Sequence, residues 1–180
     1  TNNWLTLSIN NTDWLDKPHF PFWICALSMK VFGFSTFAYK LPSFLFFLVA
    51  LLYTFKLSKL LYNKQTAYLA CLILGSSLHL VVSNNDVRAE AILVGLVMFT
   101  SYYVYKLSRH FSIKSLLFCA LGGAAAVMTK GVFVLIIFYS GVFVNLLVRR
   151  EYTSIFKLRW LFAFVLTFIF ILPELYALYQ

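Results

Sequence analysis

The sequence has few charged residues and very few acids. Aspartate, glutamate, lysine and arginine make up 12% of the 180 residues, and six of them are acidic. Hydrophobic residues account for 62%, whereas soluble domains contain roughly 45–50%. This composition excludes an ordinary water-soluble domain and predicts an integral membrane protein.

Several motifs that would indicate a soluble enzyme or a metal centre are also missing. The three cysteines, Cys25, Cys71 and Cys119, lie in separate apolar stretches without a CxxC pair, so we interpret them as packing residues. There is no P-loop, dinucleotide turn or Ser-His-Asp set. The net charge of +9 does not indicate nucleic acid, because the bases are scattered between apolar segments instead of forming one basic face.

The apolar segments predict an all-α fold, a polytopic transmembrane helix bundle with an interfacial amphipathic helix after the first outer loop. Residues 1–36 hold that loop and helix; the apolar stretch 20–32 is too short to span, and Gly33 is its expected cap. Residues 174–180 are predicted to begin the next outer loop. Residues 37–173 contain about six predicted spans, at 37–58, 65–83, 89–105, 113–129, 131–148 and 157–173.

The break between the fourth and fifth spans falls at Lys130-Gly131. One helix across residues 113–148 would be too long for a single crossing and would hold a lysine near mid-bilayer, which costs roughly 2.5–3.5 kcal/mol. The chain begins without a methionine or signal peptide and ends directly after a hydrophobic span. We therefore expect it to be a piece of a longer protein.

The charges separate to opposite ends of these spans. One end carries Glu151 as its single acid and most of the bases, and the other end carries the remaining acids. Loops rich in lysine and arginine stay in the cytoplasm. Residues 1–36 and the turns at 84–88 and 130–131 are therefore predicted to face outward from the cytoplasmic membrane. The bases at the predicted cytoplasmic end are Lys56, Lys59, Lys64, Lys106, Arg109, Lys114, Arg149, Arg150, Lys157 and Arg159.

Three short ionic segments fall on the predicted outer side. Asp16-Lys17-Pro18 joins the first loop to the interfacial helix, where Lys17 is either a lysine that snorkels to the interface or a cation that contacts phosphate. Lys130 is either a simple turn cation or part of a site. The Gly/Ala-rich run before it, residues 120–126, permits close helix contact.

The third segment is the turn around Asp86. Ser83 and Asp86 match a capping box, which alone could explain both residues. Asp86 and Glu90 are four residues apart and would share a helix face, with Arg88 pointing elsewhere. Two acids and an arginine at the head of a membrane helix exceed what capping requires, so we favour a functional interpretation.

These residues carry a resemblance to a known family. Trp14-Leu15-Asp16-Lys17-Pro18, followed by Trp23, Gly33 and Lys40-Leu41-Pro42-Ser43, resembles the first outer loop of the protein-mannosyltransferase and lipid A aminoarabinose-transferase superfamily. Asp86 and Met128-Thr129-Lys130-Gly131 are similar to two further motifs of that superfamily, in the right order. His19 departs from the pattern because relatives usually have a second proline there, and Lys40 stands where arginine is common.

The resemblance implies an inverting C-type glycosyltransferase that moves a sugar from a polyprenyl-phosphate donor to a lipid, protein or glycan acceptor outside the cytoplasmic membrane. It implies that Lys17 and Lys130, with Arg88 and Glu90, bind the donor. It also implies that Asp86 is a catalytic residue, the second acidic residue of the site. Asp16 stands where relatives can place a ligand for a divalent metal ion. The family's principal aspartate would lie upstream of Thr1, so the chain alone is expected to be inactive.

A transporter or flippase for a charged or lipid-linked solute is the alternative from another class. Transporters place polar or broken-helix sites near the midplane and often contain repeats. Here the middles of the predicted spans carry almost no charge, and the sequence shows no repeat. A purely structural membrane module with snorkelling charges is the third interpretation. The enzyme is the preferred prediction.

Overall fold

A computed structural model describes residues 8–9, 12–13, 18–86, 88–155 and 157–179. These residues are mainly helical, which confirms the all-α prediction. A short antiparallel pair, β1 (Ser8–Ile9) and β2 (Thr12–Asp13), precedes the helices. The helices in chain order are α1 (Phe20–Phe32), α2 (Thr36–Leu61), α3 (Lys64–Gly75), α4 (Leu78–Asn85), α5 (Ala89–Arg109), α6 (Ile113–Lys130), α7 (Val134–Val148), α8 (Tyr152–Ile155) and α9 (Leu158–Tyr179).

The first helix, α1, has the bounds that the sequence predicts for the interfacial helix. Pro21 lies in its first turn, where a backbone N–H would have no acceptor within the helix, so the missing N–H of proline costs nothing. Gly33 follows its last residue with φ at 79°, a backbone angle that favours glycine, so the predicted cap is confirmed. The helix is joined to α2 by the hydroxyl of Ser28, which donates to the Ala38 carbonyl at 2.6 Å.

The lengths of the remaining helices bear on the number of membrane crossings. α2, α5, α6 and the segment Tyr152–Tyr176 are each long and apolar enough to cross, and α3 with α4 qualifies as one span bent by 54°. α7 has 15 residues, so it is about 22 Å long against a hydrocarbon core of about 30 Å. The protein is therefore a polytopic membrane protein with four or five such spans among its described residues. The count of six stays a prediction.

Two predicted boundaries are wrong. The capping box fails because Ser83 lies in the last turn of α4 with its side chain buried, while Arg88 occupies the N-cap position of α5. The outer loop predicted from residue 174 is instead helical, because α9 continues through Pro173 to Tyr179. A proline is tolerated inside a membrane helix where neighbouring groups satisfy the freed backbone atoms.

The core forms where α5 packs between α2 and α6. A Cβ on Gly95 would lie 2.4 Å from the carbonyl oxygen of Phe46 in α2, and one on Gly122 would lie 2.4 Å from the hydroxyl of Thr100 in α5. The helix axes can approach closely because these positions lack side chains. The predicted small-residue contact of α6 is thus confirmed, and it brings the last turn of α6 beside the first turn of α5.

Candidate functional site

A cavity of about 700 Å³ opens at the end of the bundle where α5 begins and α6 ends. The turn between α4 and α5 supplies Asp86 and Arg88, the first turn of α5 supplies Glu90, and the last turn of α6 supplies Lys130. The lining residues that carry no formal charge come mainly from α1, α2 and the ends of α5 and α6: Pro18, Pro21, Phe22, Cys25, Tyr39, Ala89, Ile92, Thr129 and Phe133. The cavity therefore combines an apolar wall with four charges.

These four charges form two ion pairs. The ammonium of Lys130 donates to Glu90 Oε1 at 2.5 Å, across 40 residues of sequence. The guanidinium of Arg88 donates to Asp86 Oδ2 at 3.0 Å. All four side chains are 37–55% exposed, and ion pairs with that access to water contribute only about 0–1 kcal/mol. An anion that enters the cavity could therefore replace the carboxylate partner of Lys130 or of Arg88 at a cost of about 1 kcal/mol or less.

The backbone at the end of α6 sets the position of Lys130. The buried hydroxyl of Thr129 donates to the Ala125 carbonyl at 2.6 Å, which holds the last turn in register. Gly131 then ends the helix with φ at 101°, an angle that few other residues adopt. The predicted break at Lys130-Gly131 is thus confirmed.

The structure brings together four of the six predicted site residues. Asp86, Arg88, Glu90 and Lys130 line one cavity, although they come from two separate motifs. The prediction that Asp86 and Glu90 share a helix face is wrong, because Asp86 follows α4 and only Glu90 lies in α5. The prediction that Arg88 points elsewhere is also wrong, because Arg88 precedes α5 with extended backbone angles (φ −80°, ψ 151°). Asp16 and Lys17 lie outside the described residues, so their roles stay predictions. Pro18, which follows Lys17 in the sequence, lines the cavity.

Sequence reasoning missed Tyr39 and Cys25, both of which line the cavity. Tyr39 adjoins the Lys40-Leu41-Pro42-Ser43 motif, and that adjacency was the available signal. The thiol of Cys25 donates to the Tyr39 carbonyl at 3.7 Å, and burial raises its pKa above the ordinary value. Cys25 therefore stays a neutral thiol near pH 7. Its interpretation as a packing residue holds.

Lys40 and His19, the two residues that depart from the family pattern, both form hydrogen bonds to other helices. The ammonium of Lys40 donates to Asn85 Oδ1 at 2.7 Å, which joins α2 to the end of α4 beside Asp86. The backbone N–H of His19 donates to Glu174 Oε1 at 2.9 Å, and its ring Nδ1 lies 2.9 Å from the same oxygen. The side chains of His19 and Glu174 are both buried. Glu174, which lies in α9, is therefore a packing partner of His19, which precedes α1.

The described residues give no support to a metal centre. Among residues 18–86, 88–155 and 157–179, no three histidine, cysteine, aspartate or glutamate side chains come together as ligands would. Asp86, an acid that lines the cavity, is paired with Arg88. Because Asp16 lies outside the described residues, its role as a metal ligand stays a prediction.

The fold places the chain among polytopic helical membrane proteins of one architecture. It is similar to the crystal structure of ArnT from Cupriavidus metallidurans in the apo state, with a TM-score of 0.83 and 18% identity over 98% of this chain and 34% of that one. The structure of the same protein bound to undecaprenyl phosphate also gives a TM-score of 0.83 and 18% identity, over 97% of this chain and 33% of that one. The chain thus spans about a third of the length of these proteins.

The family follows from the sequence as a whole. The profile of the dolichyl-phosphate-mannose-protein mannosyltransferases matches residues 16–176, and the chain belongs to that family. A comparison with curated protein sequences gives no match. The resemblance noted from the outer motifs is confirmed.

Proposed function

We propose that the protein is a glycosyltransferase that moves a sugar from a polyprenyl-phosphate donor to a lipid, protein or glycan acceptor at the outer face of the cytoplasmic membrane. The observation that carries the proposal is the convergence of Lys130, Arg88 and Asp86 on one cavity of a membrane bundle. Membership of the mannosyltransferase family supports the reaction class. The similar fold of an ArnT that binds undecaprenyl phosphate supports the lipid carrier.

The chemistry of sugar transfer explains why such a cavity needs both signs of charge. An acceptor hydroxyl attacks the anomeric carbon, the bond from that carbon to the phosphate oxygen breaks, and the polyprenyl phosphate leaves with the electron pair. Cations stabilise the charge that develops on the departing phosphate. A carboxylate takes the proton that the acceptor loses.

The residues of the cavity match these requirements. Lys130 and Arg88 would contact the phosphate, together with Lys17 as predicted from the sequence. Asp86 would be the second carboxylate of the site, beside the principal aspartate expected upstream of Thr1. Glu90 would hold Lys130 in place until the donor arrives. The apolar wall that includes Phe22, Ile92 and Phe133 would accommodate the first isoprene units.

The direct test uses the full-length protein and a polyprenyl-phosphate donor with a radiolabelled sugar. Lys130→Ala should lower the rate of transfer by about 100-fold or more, because one electrostatic contact to a developing charge contributes on that scale. Lys59→Ala is the matched control, an exposed lysine at the end of α2 that lies outside the cavity. Unchanged transfer in Lys130→Ala would overturn the proposal.

The same preparation separates the enzyme from a transporter. In α5 and α6 all charged residues lie in the first two or last two turns, so the middles of both helices lack the ionic sites that transporters use. We therefore expect sugar transfer without solute uptake into proteoliposomes. Uptake without transfer would favour the transporter.

A further inference from the structure

A second cleft, of about 390 Å³, lies at the other end of α5. It is formed by the residues that end α5 and those that begin α9, and it faces the end of the bundle that the charge pattern predicts to be cytoplasmic. Because α5 has 21 residues, about 30 Å of helix separates this cleft from the cavity described above. The two are therefore separate sites.

Arg159 forms the floor of this cleft. Its side chain is buried, with the residue 7% exposed, and its Nη1 donates to the carbonyl of Leu107 in the last turn of α5 at 2.8 Å. That hydrogen bond satisfies one of the five N–H donors of the guanidinium. The buried Nε and Nη2 have no hydrogen-bond partner within the described part of the chain. A buried charged donor without a partner costs more than a made bond contributes, so this group calls for an acceptor.

The rim of the cleft is basic. Arg109 and Lys157 are exposed at its edge, and His110 lies between α5 and α6. Glu151 is the one acid nearby and is already bonded to Arg109 at 3.2 Å. The three permanent cations thus exceed the single acid, and an anion with several acceptor oxygens would satisfy both the floor and the rim.

Apolar side chains complete the rim and indicate which anion fits. Phe111, Leu158 and Phe162 line the cleft and are 57%, 67% and 51% exposed. Leu158 and Phe162 are four residues apart at the start of α9 and therefore lie on one face of it. A free phosphate would leave these side chains without contacts, whereas a phospholipid brings acyl chains beside its headgroup.

We propose that this cleft binds the phosphate of an anionic phospholipid from the inner leaflet, with Arg159 as its deepest contact. The proposal does not depend on the transferase function. Arg159 would turn its buried Nε and Nη2 toward the cleft and donate to the phosphate oxygens. Lys157 would close over the headgroup from the rim. The exposed apolar residues would cover the acyl chains.

Lipid retention by the full-length protein in detergent tests this site. Purified protein is loaded with phosphatidylglycerol or with phosphatidylcholine, and bound lipid is counted by native mass spectrometry. We expect preferential retention of phosphatidylglycerol. Arg159→Gln should weaken that retention by about tenfold or more, since it removes a charge-assisted pair of hydrogen bonds. Lys157→Ala should weaken it by about fivefold.

The controls make the result specific. Lys157 is exposed, so its variant keeps the test valid even if Arg159→Gln fails to fold. Lys59→Ala removes an exposed base at the same predicted membrane face but outside the cleft, and it should retain phosphatidylglycerol fully. An equal loss in Lys59→Ala, or equal retention of the two lipids, would overturn the proposal. Displacement of the lipid by excess inorganic phosphate would assign the cleft to free phosphate and overturn the lipid.

Discussion

At the scale of single residues, the ion pair between Lys130 and Glu90 has a consequence for donor binding. The carboxylate lies against the ammonium that the proposed phosphate would contact, so an incoming phosphate meets a negative charge beside its binding cation. The interaction of two like charges a few ångströms apart near a protein surface amounts to a few kcal/mol at most. Glu90 should therefore weaken donor binding while it positions Lys130.

This argument predicts the effect of Glu90→Gln. Removing the negative charge should tighten the binding of polyprenyl phosphate to the full-length protein by about two- to tenfold, a change of roughly 0.4–1.4 kcal/mol. Titration with the lipid phosphate measures it. Glu151→Gln is the control, because Glu151 forms an ion pair of matching exposure at the opposite end of the bundle. Weaker binding in Glu90→Gln would contradict the argument.

The sequence predicted which residues line the cavity better than it predicted how they pair. Charges are rare in an apolar chain, so Asp86, Arg88, Glu90 and Lys130 are conspicuous without a structure. The pairing of Lys130 with Glu90 depends on the register between α5 and α6, which sequence spacing does not contain. The prediction for Arg88 is wrong because it applies helical geometry from Asp86 to Glu90, whereas α5 begins at Ala89.

At the scale of helices, close packing at Gly95 holds α5 against α2. A methyl group there would meet the backbone of Phe46, which cannot rotate away as a side chain would. Gly95→Ala should therefore lower the free energy of unfolding by about 1–3 kcal/mol, as overpacking of a core typically does. Thermal unfolding in detergent measures the change.

Gly141 in α7 supplies the control for that experiment. No atom lies within 4 Å of a Cβ built there, among the residues that the structure describes. Gly141→Ala should leave stability unchanged or raise it by up to about 1 kcal/mol, since alanine is the better helix former. Equal destabilisation by both variants would show that close packing at Gly95 is not the cause.

The ends of helices are predictable from the sequence where a glycine follows directly after an apolar segment. The bounds of α1 and the end of α6 follow from Gly33 and Gly131. The bend between α3 and α4 falls at Gly75-Ser76-Ser77. The prediction of one span over 65–83 does not include it, because the total apolar length of that segment suits a single crossing. The end of α9 was missed for a different reason, since Pro173 suggests a stop to any local interpretation while contacts from elsewhere in the chain keep the helix going.

At the scale of the whole molecule, the contact between His19 and Glu174 joins the start of α1 to the last long helix across 155 residues. Glu174→Ala would leave the His19 N–H and ring nitrogen buried without this acceptor, which costs about 1–3 kcal/mol. We expect a lower thermal unfolding temperature in detergent. Glu151→Ala, which removes an exposed acid, should change it far less. A Glu174→Ala protein as stable as wild type would contradict the structural role.

The predicted topology is also a property of the whole molecule. In a protein whose native cysteines are replaced, Lys17→Cys and Lys130→Cys should react with an impermeant thiol reagent added to intact cells. Lys59→Cys and Arg150→Cys should react only after the membrane is opened. Labelling of residues 17 and 130 from opposite sides would exclude a shared donor site.

The 15 residues of α7 have a final consequence for the surrounding lipid. If this helix crosses the bilayer, it falls short of the hydrocarbon thickness by about 8 Å. Nearby acyl chains must then compress, or water must descend to meet the helix ends. α7 follows the turn at Gly131 beside the charged cavity. The bilayer around that cavity would therefore be locally thinned. A carrier could then present its sugar there without being lifted out of the leaflet.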